Sequence, residues 1–168
     1  RALNRLHCNV ELLDSDTDIV NLIVNILYAT LEAVDSGDGS LLLLDDKTEE
    51  LVFVAVVGEG KEDLIGYRIP ATAGIAGWVV KNKRPALVPD VRHDSRWLPT
   101  VDQWIGFKTT CLMCAPLEFG KRVLGVLEVV NPQQGRCFTE EDLDILILAS
   151  RLASFVLAYT EEVTKVTE

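Results

Sequence analysis

Two of the four cysteines, Cys111 and Cys114, form the one CxxC motif of the chain. A zinc site built on such a motif usually needs a second pair or suitably spaced histidines. The only histidines are His7 and His93, and neither lies near the CxxC motif in sequence. We therefore predict no metal site. If residues 109–118 form a strand, the two thiols point to opposite faces; we interpret them as structural thiols, with a redox or iron-sensing role as the alternative.

Motifs for nucleophilic catalysis are missing from the sequence. It contains no GxSxG elbow and no HExxH pair. Residues 58–61 (GEGK) look faintly like a phosphate-binding loop, but they lack the Walker spacing and the Ser or Thr that follows the lysine. Since no nucleophile, base and orienting group can be assembled, we predict that the chain is not an enzyme and has no catalytic residues.

Two other features have the chemistry of a binding site. Glu128 lies inside an otherwise apolar segment, residues 125–130 (GVLEVV), where a charge needs either the solvent face of a sheet or a partner. It is therefore either a surface carboxylate or a ligand-facing one. Residues 90–106 form a polar segment that carries Trp97 and Trp104. Loops on a rigid sheet often hold binding groups, although the two indoles could instead cover the edge of the core.

The elements that would position these residues follow from hydrophobic periodicity. Helical spacing runs from Ile19 to Val34, and residues 36–39 (SGDG) are predicted to end that helix. The predicted elements that follow are a hairpin of strands 40–44 and 51–57, short strands at 67–70 and 86–88, a glycine-opened helix at 74–80, a second hairpin of strands 109–119 and 122–130, and a long helix from residue 139. This order predicts an α+β fold in which an antiparallel sheet has helices on one side and a loop-rich face on the other.

The last helix carries more apolar surface than one sheet can cover. One stripe comprises Leu143, Leu146, Ala153 and Leu157, and a second comprises Ile145, Leu148, Leu152, Phe155 and Tyr159. A helix that packs on one sheet needs a single stripe. We therefore predict that the second stripe packs on a neighbour, either the first long helix or the same helix of a second subunit, and we expect a homodimer through the terminal helices.

Composition limits the remaining possibilities. The 168 residues are 48% hydrophobic, which suits a single domain, and the formal net charge is −10. Such acidity argues against nucleic acid as a partner, because phosphate binding relies on Lys and Arg. No apolar run reaches the roughly 18 residues of a membrane span. We expect a cytoplasmic chain without membrane contact, with a linker helix at 1–14, one domain at 15–160 and the start of a connecting helix at 161–168.

A series of motifs in this chain resembles GAF domains over roughly residues 15–160. In chain order they are residues 74–80 (GIAGWVV), 89–91 (PDV), 106–110 (GFKTT), 115–117 (APL), 125–131 (GVLEVVN) and 138–142 (FTEED). The resemblance implies a six-stranded antiparallel sheet with terminal helices on one face and a ligand pocket on the other. It also implies a regulatory sensing and dimerisation module that works with the output domain of a larger signal-transduction protein. The alternative is a purely structural dimerisation domain without a ligand.

Within that family, residues 101–109 and 125–131 resemble the cyclic-nucleotide-type domains of phosphodiesterases and adenylyl cyclases, which implies cAMP or cGMP as a possible ligand. The resemblance nominates as ligand-binding groups Ser40, the amides of Ile75 and Ala76, the side chains of Asp102, Thr109 and Glu128, and Trp97 as a stacking partner. The chain departs from the family signature where Pro132 replaces a lysine. The departure implies that the family's ion pair between that lysine and an aspartate, here Asp142, is absent.

Overall fold

The computed structural model describes residues 17–58 and 61–167, so the predicted linker helix at 1–14 lies outside the described residues. The helices are α1 (Thr17–Ala33), α2 (Gly74–Asn82), α3 (Thr100–Ile105) and α4 (Glu140–Thr167). The strands are β1 (Ser36–Asp45), β2 (Glu50–Val57), β3 (Arg68–Pro70), β4 (Ala86–Val88), β5 (Leu112–Phe119) and β6 (Arg122–Pro132).

The strands form one six-stranded antiparallel sheet in the order β3-β2-β1-β6-β5-β4. The two predicted hairpins, β1–β2 and β5–β6, are joined at the centre of the sheet by pairing of β1 with β6. In that central pair Ser40 lies opposite Glu128, and Leu41 lies opposite Leu127. The predicted fold class is therefore confirmed.

The two faces of the sheet hold separate apolar clusters, because successive side chains of a strand point to opposite faces. On one face, Leu41, Met113 and Leu127 belong to a cluster that includes the buried side chains of α1 and α4. On the other face, Leu42 and Val126 belong to a cluster with α2, β4 and the segment that contains α3. The terminal helices thus cover one face, and the connecting segments cover the other.

Strand β1 begins at Ser36, where the sequence predicted only a turn after the first helix. The backbone at Gly39 passes close to α1 and β6. A Cβ atom there would lie 2.9 Å from a Leu31 methyl group and 3.1 Å from the Glu128 carbonyl oxygen. Gly39 is therefore needed for close packing inside the strand, whereas the sequence suggests a turn because glycines commonly end helices.

The second hairpin and the segment before it also differ from the prediction. Strand β5 begins at Leu112 and not at residue 109, because side-chain bonds to Asp102 and Asn131 hold Thr109 and Thr110 outside the ladder. The segment 90–106, predicted to be irregular, contains the short helix α3. Its polar and apolar residues are too mixed over so few positions to give a helical pattern.

The long helix begins where the sequence predicts it. Thr139 and Asp142 cap its first turn reciprocally, since the Asp142 N–H donates to Thr139 Oγ1 at 3.2 Å and the Thr139 N–H donates to Asp142 Oδ2 at 2.9 Å. The helix continues without a break to Thr167, through the predicted connecting segment. No helix among residues 17–58 and 61–167 has the length and apolar character needed to span a membrane.

Substitution of Gly125 should break the central strand pairing. A Cβ atom at Gly125 would overlap the carbonyl oxygen of Leu42 and lie 2.9 Å from the Cα of Leu43. We expect Gly125→Ala to lower the free energy of unfolding by about 3 kcal/mol or more, measured by urea denaturation. Gly120→Ala is the control, because nothing lies within 4 Å of its Cβ position and only its φ of +63° is strained. It should cost about 1–2 kcal/mol, and an equal loss in both variants would contradict this account.

Candidate ligand-binding cavity

A cavity of about 290 Å³ lies on the face of the sheet that the terminal helices leave free. This volume is near the lower end of the range for small-molecule sites, about 300–1,000 Å³. All seven residues nominated from the sequence line this cavity: Ser40, Ile75, Ala76, Trp97, Asp102, Thr109 and Glu128. They come from β1, α2, β6 and the segment around α3, so the fold brings together groups as many as 88 positions apart. Their role in binding stays a prediction.

Glu128 faces the cavity, which decides between the two interpretations left open by the sequence. It lies on the central strand β6 between Val126 and Val130, on the same face as both. Burial in this apolar setting raises the pKa of the Glu128 carboxyl to about 7, against the attraction of Lys61 and with added repulsion from Asp102. Near neutral pH the group is therefore divided between an acceptor-only carboxylate and a neutral acid that can also donate.

Lys61 is a cavity residue that the sequence analysis missed. It is 7% exposed, its ammonium lies 3.7 Å from Asp38 Oδ1, and the same ammonium sits 3.9 Å from the centre of the Phe107 ring. Burial lowers the pKa of Lys61, while the nearby carboxylates of Asp38, Glu128 and Asp102 raise it. Residues 58–61 resemble a phosphate-binding loop only poorly, and no local pattern of the sequence shows that Lys61 folds inward.

Asp102 and Thr109 form a bonded pair at the wall of the cavity. The Asp102 carboxylate accepts the Thr109 N–H at 2.7 Å and the Thr109 hydroxyl at 2.9 Å. Because the hydroxyl proton is already used, Thr109 presents only its lone pairs to a ligand. The pair also ties α3 to the segment that leads into β5, so it fixes the shape of the wall as well as its polarity.

The first turn of α2 supplies backbone donors. The helix follows Ala73, which has no polar side chain to cap it. Its first internal hydrogen bond runs from the Gly77 N–H to the Ala73 carbonyl at 2.9 Å. The N–H groups of Ile75 and Ala76 precede that bond and therefore have no acceptor within the helix. Unsatisfied N–H groups at a helix start favour an anion.

Aromatic rings close the cavity on the side of α3. Trp97 is half-buried and lines the cavity. Trp104 is 53% exposed and does not line the cavity; instead it stacks on Tyr67, with 4.8 Å between ring centroids and 24° between the planes. Tyr67 is itself a lining residue. The two tryptophans of this segment therefore have different roles, one at the cavity wall and one outside it.

The CxxC cysteines lie on opposite faces of the sheet, as predicted; Cys111 directly precedes β5 and Cys114 lies in it. Cys111 belongs to the cluster under the terminal helices and Cys114 to the cluster beside the cavity. Burial raises the pKa of both thiols, that of Cys114 strongly. Because the thiolate is the reactive form, this environment favours the structural interpretation of the two residues.

Asp142 has an ion-pair partner although the family lysine is replaced by Pro132. Arg136 Nη1 lies 3.0 Å from Asp142 Oδ2, and Arg136 Nε lies 3.8 Å from Asp35 Oδ2. An arginine–aspartate pair thus stands where the family has a lysine–aspartate pair, and its cation comes from a residue four positions further along the chain than Pro132. The pair connects the start of α4 to the end of α1.

Comparison with known proteins agrees with this architecture. Residues 16–158 match a family model described as a GAF domain. The chain is 34% identical over 87 residues, 52% of its length, to a cone cGMP-specific 3',5'-cyclic phosphodiesterase subunit alpha' of Bos taurus, of which it covers 10%. It is 27% identical over 144 residues, 80% of its length, to a dual 3',5'-cyclic-AMP and -GMP phosphodiesterase 11A of Takifugu rubripes, of which it covers 16%.

Solved structures show the same fold at lower sequence identity. The GAF domain of an Acinetobacter phosphoenolpyruvate-protein phosphotransferase superposes with a TM-score of 0.70 at 19% identity. The superposition covers 94% of this chain and 99% of that domain. At this identity the match extends to the fold alone.

Proposed function

The chain belongs to the GAF domain family, whose members are regulatory sensing modules, and on this premise we propose that it binds a cyclic nucleotide and controls an output domain of a larger signalling protein. One observation supports the proposal most strongly: all seven residues nominated for binding from the sequence line a single cavity. A core that only stabilises the fold does not require a desolvated carboxyl group, a helix start and a bonded Asp–Thr pair on one face of the sheet.

The chemistry of the cavity suits a ligand with one anionic end and one polar planar end. The amides of Ile75 and Ala76 can receive a phosphate at the start of α2. Trp97 offers a ring surface for stacking, and Glu128 can accept hydrogen bonds from a base. A cyclic nucleotide combines these three features in one molecule.

The relatives support the same ligand class. Two of them carry cyclic-GMP or cyclic-AMP phosphodiesterase activity in their names. This chain spans no more than a fifth of the curated relatives it matches, so we carry over a sensing role and not their enzymatic activity. The signal would pass to the output domain through the terminal helices.

A second function, dimerisation, is favoured by the surface of α4. The stripe predicted to need a neighbour is exposed in the single chain: Ile145, Leu148, Leu152, Phe155 and Tyr159. The spacing of these positions alternates between three and four residues, as in the seam of a coiled coil. We propose that a second copy of the chain covers this stripe. The same surface would serve a dimerisation domain without a ligand, which is the alternative function.

Nucleotide titration tests the sensing role. We expect cAMP or cGMP to bind the 168-residue chain in calorimetry and, at about 100 times the dissociation constant, to stabilise it by about 2.7 kcal/mol. For a chain of this size that corresponds to an increase of roughly 5–10 °C in melting temperature. Acyclic 5′-AMP and 5′-GMP serve as ligand controls. Absence of binding and stabilisation with both cyclic nucleotides would reject this ligand class and favour the purely structural alternative.

A further inference from the structure

Lys61 is a buried cation whose charge is only partly satisfied by the residues that the structure describes. Exposed lysines are the rule, and a buried one normally has close partners. The described residues offer the ammonium of Lys61 the carboxylate of Asp38 at 3.7 Å and the ring face of Phe107 at 3.9 Å. The first distance is longer than an N–H···O hydrogen bond. An ammonium has three donors, so this one can still donate to a ligand in the cavity that it lines.

Glu128 provides the opposite polarity in the same cavity. It interacts electrostatically with Lys61, and Ser40 lies opposite it on the neighbouring strand. The ammonium only donates hydrogen bonds, whereas the carboxylate form of Glu128 only accepts them. A ligand edge that satisfies both must therefore present an acceptor next to a donor.

Purine rings differ in this respect. Guanine presents its O6 as an acceptor, whereas adenine presents an amino group, a donor, at the corresponding position. Beside O6, guanine and hypoxanthine have a ring N–H, and guanine adds a second donor in its 2-amino group. Adenine has a bare ring nitrogen there. An adenine in the same pose would place its amino group against the ammonium of Lys61 and its ring nitrogen against the carboxylate of Glu128.

We propose that Lys61 is a specificity-determining residue of the cavity, which together with Glu128 selects ligands with a lactam edge, as in guanine and hypoxanthine, over adenine. The proposal rests on the nucleotide-binding function proposed above and names the base. Lys61 donates to the carbonyl oxygen and Glu128 accepts from the ring N–H. Two effects give the selectivity. Charge-assisted hydrogen bonds favour the lactam edge, and groups of like polarity facing each other disfavour adenine.

Titrations with three cyclic nucleotides test this assignment. The probes are cyclic GMP, inosine 3′,5′-cyclic monophosphate, which keeps the lactam but lacks the 2-amino group, and cyclic AMP. We expect the unmodified chain to bind both lactam nucleotides at least about tenfold more tightly than cyclic AMP. Lys61→Met keeps the length of the side chain and removes the charge. It should weaken binding of both lactam nucleotides about tenfold or more, while cyclic AMP should bind as tightly as before or more tightly, because the like polarity at its amino group is removed.

Lys81→Met is the matched control, because Lys81 is exposed on α2 and does not line the cavity. It should leave all three affinities unchanged. If Lys61→Met keeps the selectivity of the unmodified chain, the role of Lys61 is overturned while the proposed function stands. If the unmodified chain binds cyclic AMP as tightly as the inosine compound, the assignment is overturned without any variant, even if Lys61→Met does not fold. If the unmodified chain binds no nucleotide, the proposed function itself is overturned, and this inference with it.

Discussion

Glu128→Gln should raise the free energy of unfolding by about 3 kcal/mol at pH 8. The carboxyl of Glu128 lies in the cavity on the central strand, where burial raises its pKa from 4.5 to about 7. A tenfold change in an acid dissociation constant corresponds to about 1.4 kcal/mol between the two protonation states. Glutamine has nearly the same shape and carries no charge, so it avoids the cost of burying the anion. Urea denaturation of both proteins at pH 8 measures the difference.

The pH dependence of stability gives the sign of the effect independently. Between pH 4.5 and 7 the folded state holds a proton on Glu128 that the unfolded state has already released, so stability falls as the pH rises through this window. Above about pH 7 this contribution is constant. The charged groups that act on Glu128 are Lys61 and Asp102. The glutamine variant should lack this decline, and the two proteins should be nearly equal in stability below pH 4.5.

Glu118→Gln is the control for this experiment, since Glu118 is exposed near the end of β5. It should keep the decline of the unmodified chain. If Glu128→Gln is no more stable than the unmodified chain at pH 8, the carboxylate of Glu128 is not desolvated.

The gain in stability should be accompanied by a loss of affinity. We expect Glu128→Gln to bind cyclic GMP about tenfold less tightly in titration, because one charge-assisted acceptor is removed.

A double substitution on α4, Leu148→Glu with Phe155→Glu, should separate the proposed dimer. These side chains are 68% and 62% exposed in the single chain and lie one heptad apart on the stripe. In a symmetric dimer the change affects four side chains. If each loses roughly 1 kcal/mol of apolar burial, the dissociation constant rises about a thousandfold. Sedimentation equilibrium measures this directly.

Phe119→Glu is the control for the dimer, because Phe119 is 42% exposed but belongs to the end of β5 and not to the stripe on α4. It should leave the association state unchanged. The thermal melting of the double variant should show that the monomer still folds, since the buried stripe of α4 is intact. If the unmodified chain is monomeric at high micromolar concentration, no second copy covers the stripe under these conditions.

The seven cavity residues show how far the sequence led toward the site. Their positions came from the resemblance of a series of motifs, in chain order, to GAF domains. Chemistry alone identified Glu128 as unusual, yet it left both solvent and ligand open as the surroundings of the carboxylate. The alternation of side chains along β6 does not say which face is covered by α1 and α4. That was decided by packing of those helices on the face of Leu41 and Leu127.

The sequence by itself determined the six strands, apart from the starts of β1 and β5, the two long helices and the surplus apolar stripe of α4, because hydrophobic periodicity is a local property of the chain. The tertiary structure alone decided the pairing of β1 with β6, the burial of Lys61 beside Asp38 and the ion pair between Arg136 and Asp142. Each of these depends on which residue meets another in space. A charged side chain becomes a buried binding group only when the fold supplies partners that offset its loss of water.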